Sequence, residues 1–114
     1  MAECLFCAIV AGEIPATTVL ETDRALAFRD IDPQAPTHVL VIPKEHYPDV
    51  AALAAADPGL LAGVITAAHR VAAAGGVAET GYRLVFNTGA QAGQVVWHLH
   101  AHLLGGRDIG WPPG

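Results

Sequence analysis

The 114-residue sequence is short of charge, and of positive charge above all: six Lys and Arg stand against eleven Asp and Glu, a formal net charge of −5. That balance argues against nucleic acid as a partner, because a broad footprint on phosphate needs many cations. It leaves room for a small phosphorylated ligand, since one pocket can be locally positive on an acidic protein. Cysteine is scarce too. With only Cys4 and Cys7, and no basic segment ahead of the short apolar run at the N-terminus, the chain reads as cytoplasmic and reduced rather than exported. Nor is there a long apolar run: the richest stretch, Gly59 to Val77, is broken by Thr66, His69 and Arg70, so no membrane span is expected. Internal repeats, low-complexity segments and linkers are missing as well. What is there is 53% hydrophobic and 15% charged, which fits one domain over residues 1–114 with a single core.

Punctuation and periodicity place the elements. Cys4 to Ala11 is apolar and short, one or two helical turns with Gly12 beyond the C-cap and Ile14-Pro15 as an extended break. Thr17 to Glu21 and Arg24 to Arg29 predict a hairpin turning at Thr22-Asp23. Asp30 to Pro36, with two prolines and two aspartates, predicts a loop. Thr37 to Pro43 is the strongest strand signal. Asp49 caps a short helix to Ala55, and Asp57-Pro58 opens a longer one that Gly75-Gly76 stops. Leu60, Leu61, Val64, Ile65, Ala68, Val71 and Ala72 form its apolar stripe, with His69 at the boundary. Tyr82 to Asn87 predicts a fourth strand, Thr88 to Gln94 a loop, Val95 to Leu104 a fifth strand, and Gly105 to Gly114 an irregular tail. The order is that of an α+β fold: a mainly antiparallel five-stranded sheet, one long helix on one face and a short N-terminal helix. The sheet's other face needs water or a partner, which points to a dimer.

Three of the six histidines fall in five residues, His98-Leu99-His100-Ala101-His102. On a strand, alternation would put all three on one face and send Trp97, Leu99, Ala101 and Leu103 into the core. One metal ion cannot collect all three, because the outer pair would be roughly 13 Å apart at about 3.3 Å per residue. A division of labour fits better. A neutral imidazole nitrogen can attack phosphorus, and flanking histidines can orient it or donate protons to phosphate oxygens. Gly93, allowing close backbone approach, and the amide of Gln94 lie just upstream as donors for a phosphate.

These residues carry a resemblance. His98 to Leu104 is similar to the signature of the histidine triad (HIT) superfamily. Gly12 to Ala16, Phe28 to Ile31, Pro33 to His38, Val41 to Lys44 and above all Leu104 to Gly114 resemble its histidine triad nucleotide-binding (Hint) branch. The resemblance implies a homodimer whose sheets join into one ten-stranded sheet, with one purine nucleotide site per subunit. It implies hydrolysis of purine nucleoside phosphoramidates, such as adenosine 5′-phosphoramidate or aminoacyl adenylates, with no cofactor required for catalysis. On that pattern His100 attacks the α-phosphate, His102 holds phosphate oxygens, and His38 and His98 complete the histidine network. Asp30 would accept the ribose hydroxyls, with Phe6, Phe28, Ile31 and Leu40 around the base. Asn87, Gly93, Gln94, Val95 and Val96 would surround the phosphate, and Trp111 would reach the pocket from the tail. Two departures are visible: Val95 stands where family members usually carry serine, and Trp97 where tyrosine is frequent.

Cys4-Leu5-Phe6-Cys7 is half of a zinc site; a redox pair would want a helix start and a thioredoxin-like context. His46 and His98 are the candidate third and fourth ligands, and some relatives are similar in binding structural zinc through such a set. Lys44 and Arg83 read as surface charges. Two further readings are a dinucleoside polyphosphate hydrolase or nucleotide phosphorylase of a sister branch, against which Trp111-Pro112-Pro113-Gly114 argues, and a nucleotide-binding regulatory module with little turnover, which Val95 would favour.

Overall fold

The computed structural model describes residues 4–114. In chain order it has α1 (Leu5–Val10), β1 (Thr18–Glu21), β2 (Ala25–Arg29), β3 (Thr37–Pro43), α2 (Val50–Ala56), α3 (Pro58–Ala74), α4 (Val77–Thr80), β4 (Tyr82–Phe86) and β5 (Ala101–Gly105). The strands form one antiparallel sheet in the order β1-β2-β3-β5-β4. The two predicted caps are made: Asp49 accepts from the Ala52 N–H at 2.9 Å and Asp57 from the Leu60 N–H at 3.0 Å, each filling an orphan donor of its helix.

The long helix closes one face of the sheet. Leu60, Val64, Ala67, Ala68 and Ala72 of α3 bury against Ala25, Ala27, Val39, Val41, Leu99, Ala101 and Leu103. Leu53 of α2 is completely buried there, so Leu53→Ala is expected to cost about 2–5 kcal/mol in lost transfer and residual cavity. The stripe is narrower than the sequence suggests, since Ile65 lies on the exposed side of α3. The opposite face is not bare. Phe6 of α1 lies over Leu26, Phe28, Leu40 and Ile42, so the N-terminal helix roofs the half of the sheet that carries the histidines. The short helix α4 was not foreseen; Val77 packs so closely on β5 that a Cβ at Gly105 would lie 2.9 Å from the Val77 Cβ.

The largest correction concerns the histidine strand. Only Ala101–Gly105 is regular strand, not Val95 to Leu104. The β3–β5 register pairs Val41 with Ala101 and, continued, would set Leu99 opposite Pro43. Proline has no N–H for the ladder, so the pairing stops there. The Leu99 N–H instead donates to the Tyr47 carbonyl at 2.7 Å, and the chain bends over Val96–His98. The alternation survives: Leu99, Ala101 and Leu103 are buried on the helix face while the histidines turn to the other. Trp97 breaks it, because the bend leaves its side chain half exposed rather than in the core.

Candidate functional site

Three elements converge under α1. His38 comes from β3, His102 from β5 between Leu40 and Val85, and His98 and His100 from the bent approach to β5. Ring centroids of His100 and His102 are 4.9 Å apart, those of His38 and His102 5.2 Å, and the Phe6 ring meets His100 edge-on at 5.0 Å. The histidines separate into two groups, each fixed by backbone partners.

In the first group the partners dictate where each proton sits. The Gln34 N–H donates to His38 Nδ1 at 3.0 Å, so neutral His38 carries its hydrogen on Nε2. That Nε2 lies 3.0 Å from His102 Nδ1 and 3.4 Å from an Asp30 oxygen. His102 Nδ1 therefore accepts, and His102 is left with a proton on Nε2. His100 runs the other way. Its Nδ1 is 2.9 Å from the His98 carbonyl, which only accepts, so Nδ1 carries the hydrogen and Nε2 keeps a lone pair. Among the described residues no buried side-chain nitrogen or oxygen is left without a partner, so His100 Nε2, with no bond inside the chain, opens to solvent. Burial lowers the pKa of His100. Burial, with His100 and His38 alongside, pushes His102 down to about 4. At neutral pH the site thus offers one free lone pair and, beside it, one N–H.

The second group is Cys4, Cys7, His46 and His98, whose ligand atoms lie within 4.8 Å of one another. His98 Nε2–H donates to the Pro43 carbonyl at 2.9 Å, so its Nδ1 lone pair faces the cysteines. Nδ1 of His98 is 3.2 Å from His46 Nδ1, 3.3 Å from Cys4 Sγ and 3.5 Å from Cys7 Sγ, and Cys7 Sγ is 3.5 Å from His46 Nδ1. A tetrahedral zinc with bonds of about 2.1 Å to nitrogen and 2.3 Å to sulfur has edges of about 3.4 Å (N–N) and 3.6 Å (N–S). The donor set and spacing fit that ion. Cys4 is also the N-cap of α1, its sulfur accepting from the Cys7 N–H at 3.3 Å, so the CxxC does open a helix. Burial and the neighbouring Cys4 nonetheless raise the Cys7 thiol to about 11, the opposite of an activated redox cysteine.

The remaining predicted residues scatter. Phe28 and Leu40 are buried beneath Phe6, Asn87 and Val96 are half-buried, and Gly93 ends the turn Ala90–Ala92. Ile31, Val95 and Trp111 are strongly exposed. Asp30 spends one oxygen on the Asp32 N–H at 2.8 Å and turns the other towards His38. Gln94 is corrected. Its amide oxygen takes the Gly89 N–H, its amide nitrogen donates to the Pro48 and Val96 carbonyls, and its own N–H donates to Gly89, so it holds the loop together and has no donor left for a phosphate. Lys44 is a surface charge paired with Glu21. Arg83 is more than that, binding the Ile109 and Gly110 carbonyls and lying 6.0 Å from the Trp111 ring. His69 is exposed and bonds Tyr82. Sequence reasoning missed Gln34 and Arg107, whose contacts run through main-chain atoms. A cleft of about 510 Å³ lined by Arg29, Thr37, Arg70 and Val71 lies on the helix face of the sheet and contains none of these histidines.

The comparisons with known proteins point to one family. The HIT domain model matches residues 11–109. The chain is 47% identical over 108 residues to the purine nucleoside phosphoramidase of Escherichia coli K12, covering 95% of this chain and 91% of that one. A crystal structure of a HIT family hydrolase from Legionella pneumophila superposes with a TM-score of 0.95 at 54% identity, covering 98% of this chain and 100% of its own. The histidine triad nucleotide-binding protein of Candida albicans superposes with a TM-score of 0.83 at 33% identity, over 96% and 83% of the two chains. With its histidines sorted by backbone partners into two groups and this likeness over nearly its whole length, the chain belongs to the HIT domain family.

Proposed function

We propose that this protein hydrolyses purine nucleoside phosphoramidates through a nucleotidyl-histidine intermediate on His100. The observation that carries the reading is the pair of opposed tautomers: a lone pair on His100 Nε2 and, on the adjacent ring, a proton on His102 Nε2. His100 Nε2 attacks the α-phosphorus. The P–N bond breaks, its electron pair leaves on the amine nitrogen, which takes up a proton from solvent, and the oxygen of a water then bonds phosphorus as the P–Nε2 bond breaks, returning a proton to solvent and giving the nucleoside monophosphate with His100 Nε2 free again. His102 Nε2–H donates to a phosphate oxygen as charge builds there, backed by His38 and through it by Gln34. Asp30 holds the ribose hydroxyls, with Phe6, Phe28, Ile31 and Leu40 on the base side. The relative in Escherichia coli named for this activity, and the neighbour in Candida albicans named for nucleotide binding, support the substrate class. The protein acts as a homodimer whose sheets join, with Trp111 at the pocket.

Zinc is the second part of the proposal. Cys4, Cys7, His46 and His98 would hold one ion, which supplies structural cross-linking of α1 to the β3–β5 end and no step of the reaction.

Turnover of adenosine 5′-phosphoramidate by wild type and His100→Ala tests the first part. The expected loss is at least about a thousand-fold in kcat, with adenosine monophosphate still bound. Equal rates would overturn the nucleophile; no turnover by either protein, with binding intact, would make this a nucleotide-binding module instead.

A further inference from the structure

We propose that Arg107 is a positioning residue for the histidine pair His38–His102, acting through the main chain of Gln34. The inference rests on the roles proposed above for His100, His102 and His38. Gln34 is exposed, yet it is held at both ends: its N–H donates to His38 Nδ1 at 3.0 Å, and its carbonyl accepts from Arg107 Nε at 3.0 Å. A third bond runs from its side-chain amide to the Asp32 carbonyl at 3.0 Å. The same guanidinium donates through Nη1 to the Asp108 carbonyl at 2.8 Å, so one rigid plane bridges the tail and the loop after β2. Gly106 delivers it there. Its φ of +88° is open to glycine, and a Cβ would lie 3.0 Å from the Pro36 Cβ, so the turn that presents Arg107 sits directly on the loop it clamps.

The consequence is chemical. The Gln34 N–H on Nδ1 is the closer of two groups that keep the hydrogen of His38 on Nε2, the other being the Asp30 carboxylate 3.4 Å from that nitrogen. If that N–H strays, the Nδ1–H form of His38 becomes accessible, and its bare Nε2 then faces the lone pair of His102 Nδ1 3.0 Å away. Two acceptors repel, and the His102 N–H loses its backing and its orientation. The loss is expected on the chemical step, since the Arg107 guanidinium hydrogen-bonds the main-chain carbonyls of Gln34 and Asp108, neither of which is assigned to the nucleotide. Arg83 fastens the tail to β4 further along, at the Gly110 carbonyl 2.9 Å away, so the tail stays anchored when Arg107 is removed.

The experiment compares wild type, Arg107→Ala and Arg107→Lys by steady-state kinetics on adenosine 5′-phosphoramidate and by nitrogen-15 NMR of the imidazole rings. Arg107→Ala is expected to lower kcat about ten- to hundred-fold with KM within about three-fold, and to move His38 from one Nε2–H signature to an average of tautomers. Arg107→Lys, which still reaches the Gln34 carbonyl, should restore the His38 signature and much of the rate. A His38 signature unchanged in Arg107→Ala overturns the inference, whether or not kcat falls, because the residue then acts on folding alone. Failure of the underlying reading shows separately, as undiminished turnover by His100→Ala.

Discussion

The two histidine groups use similar donors at similar distances, and their backbone partners turn opposite faces of the ring inward, a lone pair in one and an N–H in the other. In one, Nδ1 of His98 and Nδ1 of His46 are 3.2 Å apart with two thiols beside them; in the other, Nε2 of His38 and Nδ1 of His102 are 3.0 Å apart with a carboxylate beside them. The difference lies on the far side of each ring. His98 donates its remaining N–H to the Pro43 carbonyl, which leaves a lone pair for a metal. His38 receives the Gln34 N–H on Nδ1, which leaves a proton on Nε2. A metal on His38 Nε2 would drive that proton to Nδ1, straight at a donor. Ligand type and spacing alone do not separate a metal centre from a proton relay; the backbone partner does.

Removing the sulfurs breaks the comparison most violently. Cys4→Ser with Cys7→Ser should abolish zinc retention and lower Tm by on the order of 10 °C, as metal content by mass spectrometry and thermal unfolding would report. Retention of one ion per chain would move the metal elsewhere. His38→Ala is the reciprocal change: about a hundred-fold lower kcat with metal content untouched. If it emptied the metal site, the two groups would not be independent. A smaller effect follows from pH. Burial and its histidine neighbours hold His102 down at about 4 in the folded chain, against 6.5 as the ordinary value. The unfolded chain therefore binds more protons between those values, so this group's stabilisation is complete above about 6.5 and is lost as pH falls towards 4. Denaturant midpoints should drop across that window, and less so in His102→Asn; equal pH slopes for the two proteins would count against it. Val95→Ser should move least. Its side chain is 82% exposed, so stability is expected to stay within about 0.5 kcal/mol, and any change in turnover reports the exchange of two methyl groups for a hydroxyl at this position.

Much of this was legible because the elements are locally overdetermined. Thr37–Pro43 runs from a proline-rich loop to a proline stop, and Pro58–Ala74 from an Asp-Pro start to a glycine pair, so both matched their predicted bounds closely. The triad's face was legible from alternation, while its departure from strand was not. That departure depends on Pro43 standing opposite Leu99, a register no local pattern reveals. Gln94 misled because a polar side chain beside a glycine suggests a ligand contact, and only the fold shows its amide consumed by Gly89, Pro48 and Val96. Gln34 and Arg107 left no signal, since what matters in Gln34 is its main-chain N–H and C=O, which every residue except proline offers.

X-ray absorption at the zinc edge of protein loaded with two equivalents of zinc tests the central claim most directly. The account predicts one tightly held ion per chain, with two sulfurs at about 2.3 Å and two nitrogens at about 2.0–2.1 Å. A second retained ion with only nitrogen and oxygen neighbours, lost in His38→Ala, would place a metal where a proton is assigned and contradict it.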